Sequence, residues 1–222
     1  WRGLGINSCI VKKLKENNEI NGVIGFTKST AEFYKQTGYN VFEFNRLRRH
    51  VRILKTEDAC EVSAYIGEGS ERFRRIFGKA QKYLHSIENC GIVTLSGRNI
   101  QDYEIAFDYK DRVTTSRDIR YLKWRYLENP FVTYGVHAFV KKGEILAMIA
   151  CRIEPLRPLH SLACRIIDIC GSKDAVRELV PFIISTARDK GCAYIDYSSA
   201  GNLFDDILER AGFTKLKDDE CD

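Results

Sequence analysis

At 222 residues, 44% of them hydrophobic and with eleven Tyr and twelve Phe, the chain has material for one or two packed domains, which excludes a disordered protein. No apolar run approaches the ~18 residues of a spanning helix and no signal-peptide pattern is present, so no membrane partner is expected. A net charge of +5 is mild, and eight scattered Cys without a Cys-x-x-Cys, with only four His, give no zinc-ligand spacing; we expect no metal, thiols that act as small core residues, and a reducing, cytoplasmic compartment.

The first element is a turn, Arg2-Gly3-Leu4-Gly5-Ile6-Asn7. Unpaired N–H groups at a helix N-terminus bind phosphate oxygens, and glycine lets the backbone approach a diphosphate closely. Ile10, Val11 and Leu14 continue at helical spacing to Asn17, and Asn21–Phe26 reads as a buried strand. Thr27 can cap a second helix, Ala31-Glu32-Phe33-Tyr34-Lys35-Gln36-Thr37, which Gly38 stops in a left-handed turn before Tyr39. Asn40–Phe44 alternates as a strand. The densest basic run follows, Arg46-Leu47-Arg48-Arg49-His50-Val51-Arg52. We read it as a solvated edge strand or a linker rather than a nucleic-acid patch, since no aromatic-interleaved basic surface accompanies it.

Cys60–Tyr65 alternates as the opening strand of a second domain. Ser70 precedes an amphipathic helix with Phe73, Ile76, Phe77, Ala80, Leu84 and Ile87 on one face. Asp118 can cap a helix through Trp124-Arg125-Tyr126, ended at Asn129-Pro130. Three strands are predicted at Gly135–Val140, Ile145–Ile153 and Ala163–Cys170, with Lys142-Gly143 turning the first pair. A helix within Asp174–Lys190 follows, where Pro181 implies a kink or a late start. The chain then runs through a strand at Cys192–Ser198, a helix at Asn202–Ala211 and a strand from Phe213.

The first turn and the Ala31–Tyr39 segment together resemble the acyl-CoA-binding half of the GNAT superfamily of N-acetyltransferases, whose turn reads Gln/Arg-x-x-Gly-x-Gly/Ala. Arg2 and Gly5 fit this pattern, and Asn7 departs from it. The element order after Cys60 is also that of the family. The resemblance therefore implies an α/β fold with a mixed sheet: a partial GNAT domain in 1–55, closed by the basic linker, and a second GNAT-like domain in 56–222. Phe33–Tyr39 aligns with Ile207–Phe213 as an internal repeat.

The resemblance further implies an acetyl-CoA-dependent N-acetyltransferase acting on a primary amine, an amino sugar or other small amine, with no nucleic-acid partner. Arg2, Gly3, Leu4, Gly5, Ile6, Asn7, Thr27, Thr30 and Phe33 would contact the cofactor, and Tyr34 would protonate the departing thiolate. In the family, the strand before the loop has a splayed edge that holds the pantetheine arm and supplies the base. The chain begins at Trp1, so we expect that strand upstream and the 222-residue chain inactive alone, with proteolysis cutting near Arg46–Lys55. The second copy reads as degenerate, with Leu208 at the tyrosine position and Asp174 at the Gly5 position, where a carboxylate opposes a diphosphate. The competing reading is a non-catalytic GNAT-like module that binds a ligand or partner. Asp168 and Asp196, inside apolar strands, are candidate buried carboxylates, with a hydrogen-bonded structural role favoured over a base. Arg125 and its aromatic neighbours could bind a sugar or nucleotide diphosphate, although Trp124 and Tyr126 read better as core anchors. His137 and His160 receive no catalytic role.

Overall fold

A computed structural model describes residues 28–39, 48–65, 91–107, 115–156, 159–199 and 201–216, with Cys9, Lys12, Lys13 and Glu16 as single helical positions. The expected strands at Asn21–Phe26 and Asn40–Phe44 and the helix after Ser70 lie outside these residues. The chain divides into two compact units, Trp1–Asn45 and Arg46–Asp222.

In the first unit, helix α1 (Lys28–Gln36) ends as expected. Gly38 adopts φ +78°, and the N–H groups of Thr37, Gly38 and Tyr39 donate to the carbonyls of Phe33, Lys35 and Tyr34 at 3.0, 2.9 and 2.9 Å. Glycine is needed here because the left-handed turn crowds a Cβ.

The second unit is built on a mixed sheet. In chain order its elements are β1 (Arg48–Ile53), α2 (Thr56–Tyr65), β2 (Ile92–Leu95), β3 (Glu104–Ile105), α3 (Ile119–Leu122), β4 (Gly135–Lys141), β5 (Glu144–Leu156), β6 (Ser161–Gly171), α4 (Lys173–Asp189), β7 (Cys192–Ser199), α5 (Asp205–Arg210) and β8 (Thr214–Lys215). Among the described residues the sheet has eight strands in the order β2-β4-β5-β6-β7-β1-β8, with β3 beside β5. β4, β5 and β6 form the expected antiparallel meander. β7 then runs parallel to β6. The β4–β5 turn places Lys142 at φ +53° and Gly143 at φ +83°, the paired left-handed conformation that matches strand twist.

Helix α4 buries Val176, Leu179, Val180, Ile183, Ile184 and Ala187, an i, i+3, i+4 stripe, against Ile149, Ile166 and Ile195 of the sheet. Each of the Val, Leu and Ile side chains contributes roughly 1.5–3 kcal/mol of burial. The helix starts at Lys173 with Ser172 as its cap, the Ser172 hydroxyl accepting from the Ala175 N–H. Pro181 therefore sits inside the helix and does not delay its start. The opposite face of the sheet packs Leu122, Tyr126, Ile145 and Met148. Helix α5 ends through the same three bonds as α1, from Ala211, Gly212 and Phe213 to Ile207, Glu209 and Leu208 at 3.0, 2.9 and 3.0 Å. The aligned segments thus share a backbone conformation, although Gly191 also ends α4 at positive φ.

Two elements differ from expectation. Cys60–Tyr65 is the second half of helix α2, not a strand. Glu57 and Asp58 in its first turn favour a helix N-terminus, and they outweigh a short apolar–polar alternation. The strand at that edge of the sheet is β2, a short β-branched run between Gly91 and Ser96 that pairs with β4. The basic run is also neither an edge nor a linker. β1 lies between β7 and β8 and is antiparallel to both. Its charges are paired: Arg48 with Asp205 at 3.2 Å, Arg49 with Asp196 at 2.8 Å, and Arg52 with the Ala211 carbonyl. A protease cutting within Arg48–Ile53 would have to open the sheet between β7 and β8.

Candidate functional site

The site grows from an irregularity in β6. Across the β5–β6 ladder, Cys151 opposes Ile166 and Ala150 opposes Asp168, so Ile167 is an extra residue. Cys164, Ile166 and Ile169 face the α4 core, whereas Ile167 and Cys170 face the other core. The bulge therefore turns Ile167 and Asp168 to the same side. At this point β6 and β7 part. Their parallel pairing runs to Ile166 opposite Tyr197 and stops, while β6 continues to Gly171 and β7 to Ser199. Among the described residues, the backbone of β6 between these ends is hydrogen-bonded to β5 on one side only.

Asp168, the second residue past the last β6–β7 pair, is buried and held by three donors. Arg117 Nε and Nη2 reach Oδ2 and Oδ1 at 2.7 and 3.0 Å, and the Tyr126 hydroxyl donates to Oδ2 at 3.0 Å. Burial and the adjacent Asp168 charge push the Tyr126 phenol far above its ordinary pKa. Burial, and secondly Asp168, raise Tyr197 to about 12. Both phenols stay protonated near neutrality and can serve as donors. Asp196 is likewise bound, to Arg49 and to Arg165 at 2.6 Å. Both acids are thus hydrogen-bonded structural carboxylates.

Past the bulge, Gly171 has φ +110°, and a Cβ there would lie 2.3 Å from the Leu146 carbonyl oxygen; only glycine fits this turn into α4. At the start of α4, Ser172 is the cap. Asp174 instead pairs with Arg177 at 2.6 Å and points to solvent, so the helix cap comes from a hydroxyl, not from the Asp174 carboxylate.

The Trp124–Phe131 segment differs from expectation in one residue. Asp118 caps α3, accepting from the Tyr121 N–H at 2.7 Å, but Lys123–Leu127 then widens into a π-helical turn closed by Glu128 N–H to Lys123 O at 2.8 Å. Tyr126 is turned inward to Asp168, while Trp124 is 69% exposed and is no core anchor. Two residues apart on a helix, they point to opposite sides. A surface groove is lined by Arg120, Lys123, Trp124, Arg125 and Phe131. The Arg125 guanidinium lies 5.6 and 5.9 Å from the ring centres of Tyr126 and Tyr134.

Cys151, Cys164, Cys170 and Cys192 are buried free thiols, as expected of core cysteines. Hydrogen bonding from Cys164, and more weakly from His137, draws the Cys151 thiol below its ordinary pKa. His137 is held by Thr94 at 3.0 Å and packs edge-on against Phe182. His160 is exposed on a turn.

Of the sequence-derived cofactor residues, Arg2, Gly3, Leu4, Gly5, Ile6, Asn7 and Thr27 lie outside the described residues. Thr30 falls within α1. Phe33 and Tyr34 sit on the same helix, half-buried, with ring centres 5.4 Å apart, and Tyr34 makes an equal edge contact with Tyr39. Arg117 and the opening between β6 and β7 were missed. The one local signal was the adjacent Ile166-Ile167, which breaks strict alternation before Asp168.

No protein-family model matches this sequence, and no curated protein matches it. Solved structures do match in fold. A conserved protein of unknown function from Enterococcus faecalis, described as a probable N-acyltransferase, is similar at TM-score 0.53 and 13% identity, over 97% of this chain and 48% of that one. N-myristoyltransferase from Saccharomyces cerevisiae with bound myristoyl-CoA is similar at TM-score 0.50 and 10% identity, over 80% of this chain and 50% of that one. The chain spans about half the length of these structures. With its mixed sheet and parted β6–β7 pair, it has the GNAT-like fold of the acyl-CoA N-acyltransferases.

Proposed function

We propose that this chain is part of an acyl-CoA-dependent N-acyltransferase that transfers an acyl group, acetyl in our reading, to the primary amine of a small molecule. The observation that carries the proposal is the parted β6–β7 pair. An open strand edge of this kind is where the fold takes an extended ligand; in the second unit we assign it to the acceptor, and the acyl-CoA to the first unit. The yeast enzyme of similar fold binds an acyl-CoA, which supports the same class of co-substrate here.

In the reaction, the substrate nitrogen attacks the thioester carbonyl carbon, the C–S bond breaks and the amine proton passes to a base. Tyr34 returns a proton to the CoA thiolate. Arg2 to Asn7 would hold the diphosphate by backbone N–H groups, with Thr27, Thr30 and Phe33 beside it. Neither Asp168 nor Asp196 suits the base, because each is already committed to arginine. The second unit then serves acceptor binding and support. That same commitment favours the second reading, in which the unit is a non-catalytic binding module.

Calorimetric titration with acetyl-CoA tests the assignment. Gly5→Asp should weaken binding by setting a carboxylate against the diphosphate, while Asp174→Ala should leave it nearly unchanged. Equal losses would move the cofactor to the second unit, and no binding by the unsubstituted chain would favour the module.

A further inference from the structure

Strand β1 carries His50 into the interior, where it is fully buried and, among the described residues, neither ring nitrogen has a hydrogen-bond partner. An unsatisfied buried polar group is costly and rare, so this one calls for a ligand. Helix α5 faces it with Asp205 and Glu209. The i, i+4 spacing places both carboxylates on one side of the helix. His50 Nε2 lies 3.7 Å from Asp205 Oδ1, too far for a hydrogen bond. One ligand atom from each of the three residues falls within 4.8 Å of the others, and among the described residues this is the one such grouping.

We propose that His50, Asp205 and Glu209 form a zinc site that clips β1 to α5. Zinc bound to nitrogen and oxygen at about 2.0–2.1 Å in a tetrahedron needs ligand atoms about 3.4 Å apart. The His50–Asp205 separation is close to that spacing, and Glu209, on the exposed side, closes the third position with water in the fourth. The two oxygens of Asp205 have separate tasks. Oδ2 accepts from Arg48 Nη1 at 3.2 Å and Lys215 Nζ at 2.9 Å, which leaves Oδ1 aimed at the imidazole. Such outer contacts orient a ligating carboxylate. One imidazole and two carboxylates suit zinc better than the all-oxygen shell that magnesium prefers. Arg48 and Lys215 oppose a cation, but both are more than a third exposed, so water screens their charge while they keep Oδ2 in place. The ligands come from opposite ends of the unit, which is why no motif spacing betrays them.

The test is zinc titration of the EDTA-stripped full chain, followed by calorimetry and thermal melting, with magnesium as control. Zinc should bind at one equivalent and raise the melting temperature, and magnesium should do neither. Glu209→Gln, at an exposed position, should weaken zinc binding at least tenfold, and His50→Gln should abolish it. Lys215→Ala should tighten it, because a like charge is removed. Zinc affinity unchanged in Glu209→Gln and Lys215→Ala would place the ion elsewhere, on thiols for example, and overturn the proposal. Failure of the unsubstituted chain to bind zinc would overturn it as well. Glu209→Gln and Lys215→Ala decide the question even if His50→Gln does not fold.

Discussion

Substituting Asp168 tests whether the centre of the β6–β7 opening is held as the geometry implies. Asp168→Ala removes a carboxylate that accepts from Arg117 at 2.7 and 3.0 Å and from Tyr126 at 3.0 Å. Deleting one partner of a fully buried ion pair costs about 3–5 kcal/mol, since the other charge stays desolvated. The Arg117 side chain is 16% exposed and Asp168 9%, and Arg117 keeps its bond to the Thr115 carbonyl at 2.6 Å, so the cost falls toward the lower end. The Tyr126 hydroxyl loses its acceptor at the same time, but contacts within one network are not additive. The expected loss is about 3 kcal/mol, which for a unit of this size lowers Tm by about 6–12 °C. Tyr126→Phe, which leaves the arginine pair intact, should cost only about 1 kcal/mol. Urea unfolding followed by circular dichroism measures both. A loss below about 1 kcal/mol for Asp168→Ala would give this pair the weight of an exposed salt bridge and remove the argument that it braces the opening.

If Tyr34 is the general acid, then in a catalytically active form of the protein Tyr34→Phe should lower kcat roughly 10²–10⁴-fold with acetyl-CoA affinity preserved; full turnover would leave it as a packing residue between Phe33 and Tyr39. Tyr126 and Tyr197 have folded pKa values raised above the unfolded value near 10, so the folded state holds protons that the unfolded state releases. Their contribution is fully present below pH 10 and is lost as pH rises, Tyr197's between 10 and about 12, at up to roughly 1.4 kcal/mol per pH unit for each phenol. Melting curves from pH 9 to 12 should therefore steepen in decline above 10, less so in Tyr126→Phe. A chain starting at Arg46 should melt cooperatively, whereas one starting at Thr56 lacks β1 and should not; equal melting of the two would contradict the interior placement of that strand.

What was legible in the sequence was what local physics decides. β4, β5, β6, α4 and β7 have strong periodicity and glycine-marked ends, and each forms within a few residues of its expected bounds. β1 was illegible because its charges are neutralised by Asp196 and Asp205, far away in sequence; read locally, Arg48-Arg49-His50 is a solvated stretch. Helix α2 was misread because six residues of alternation carried more weight than the two acids that open it. At the site, Asp168 stood out as a carboxylate in an apolar strand, but its role depends on Arg117, on another element. Trp124 and Tyr126, two residues apart, cannot share a helix face; which of them turns inward depends on Asp168, on another element.

The two flanks of β7 sharpen the case for the opening. On one side β1 pairs with it from Arg48 opposite Ser199 to Ile53 opposite Tyr194, so the end of β7 is regular and able to carry hydrogen bonds. On the other side pairing with β6 ends at Tyr197, although β6 runs on to Gly171. The gap therefore does not arise because either strand is too short. It follows the extra residue at Ile167, which turns the strand and brings Asp168 onto Arg117 and Tyr126. The N–H and C=O groups that β6 turns toward the gap need partners from water or a ligand. An extended chain bearing amides can supply them without disturbing any existing pair. A flat β6 without the bulge would instead zip onto β7, close the groove and leave Arg117 and Tyr126 without their common acceptor.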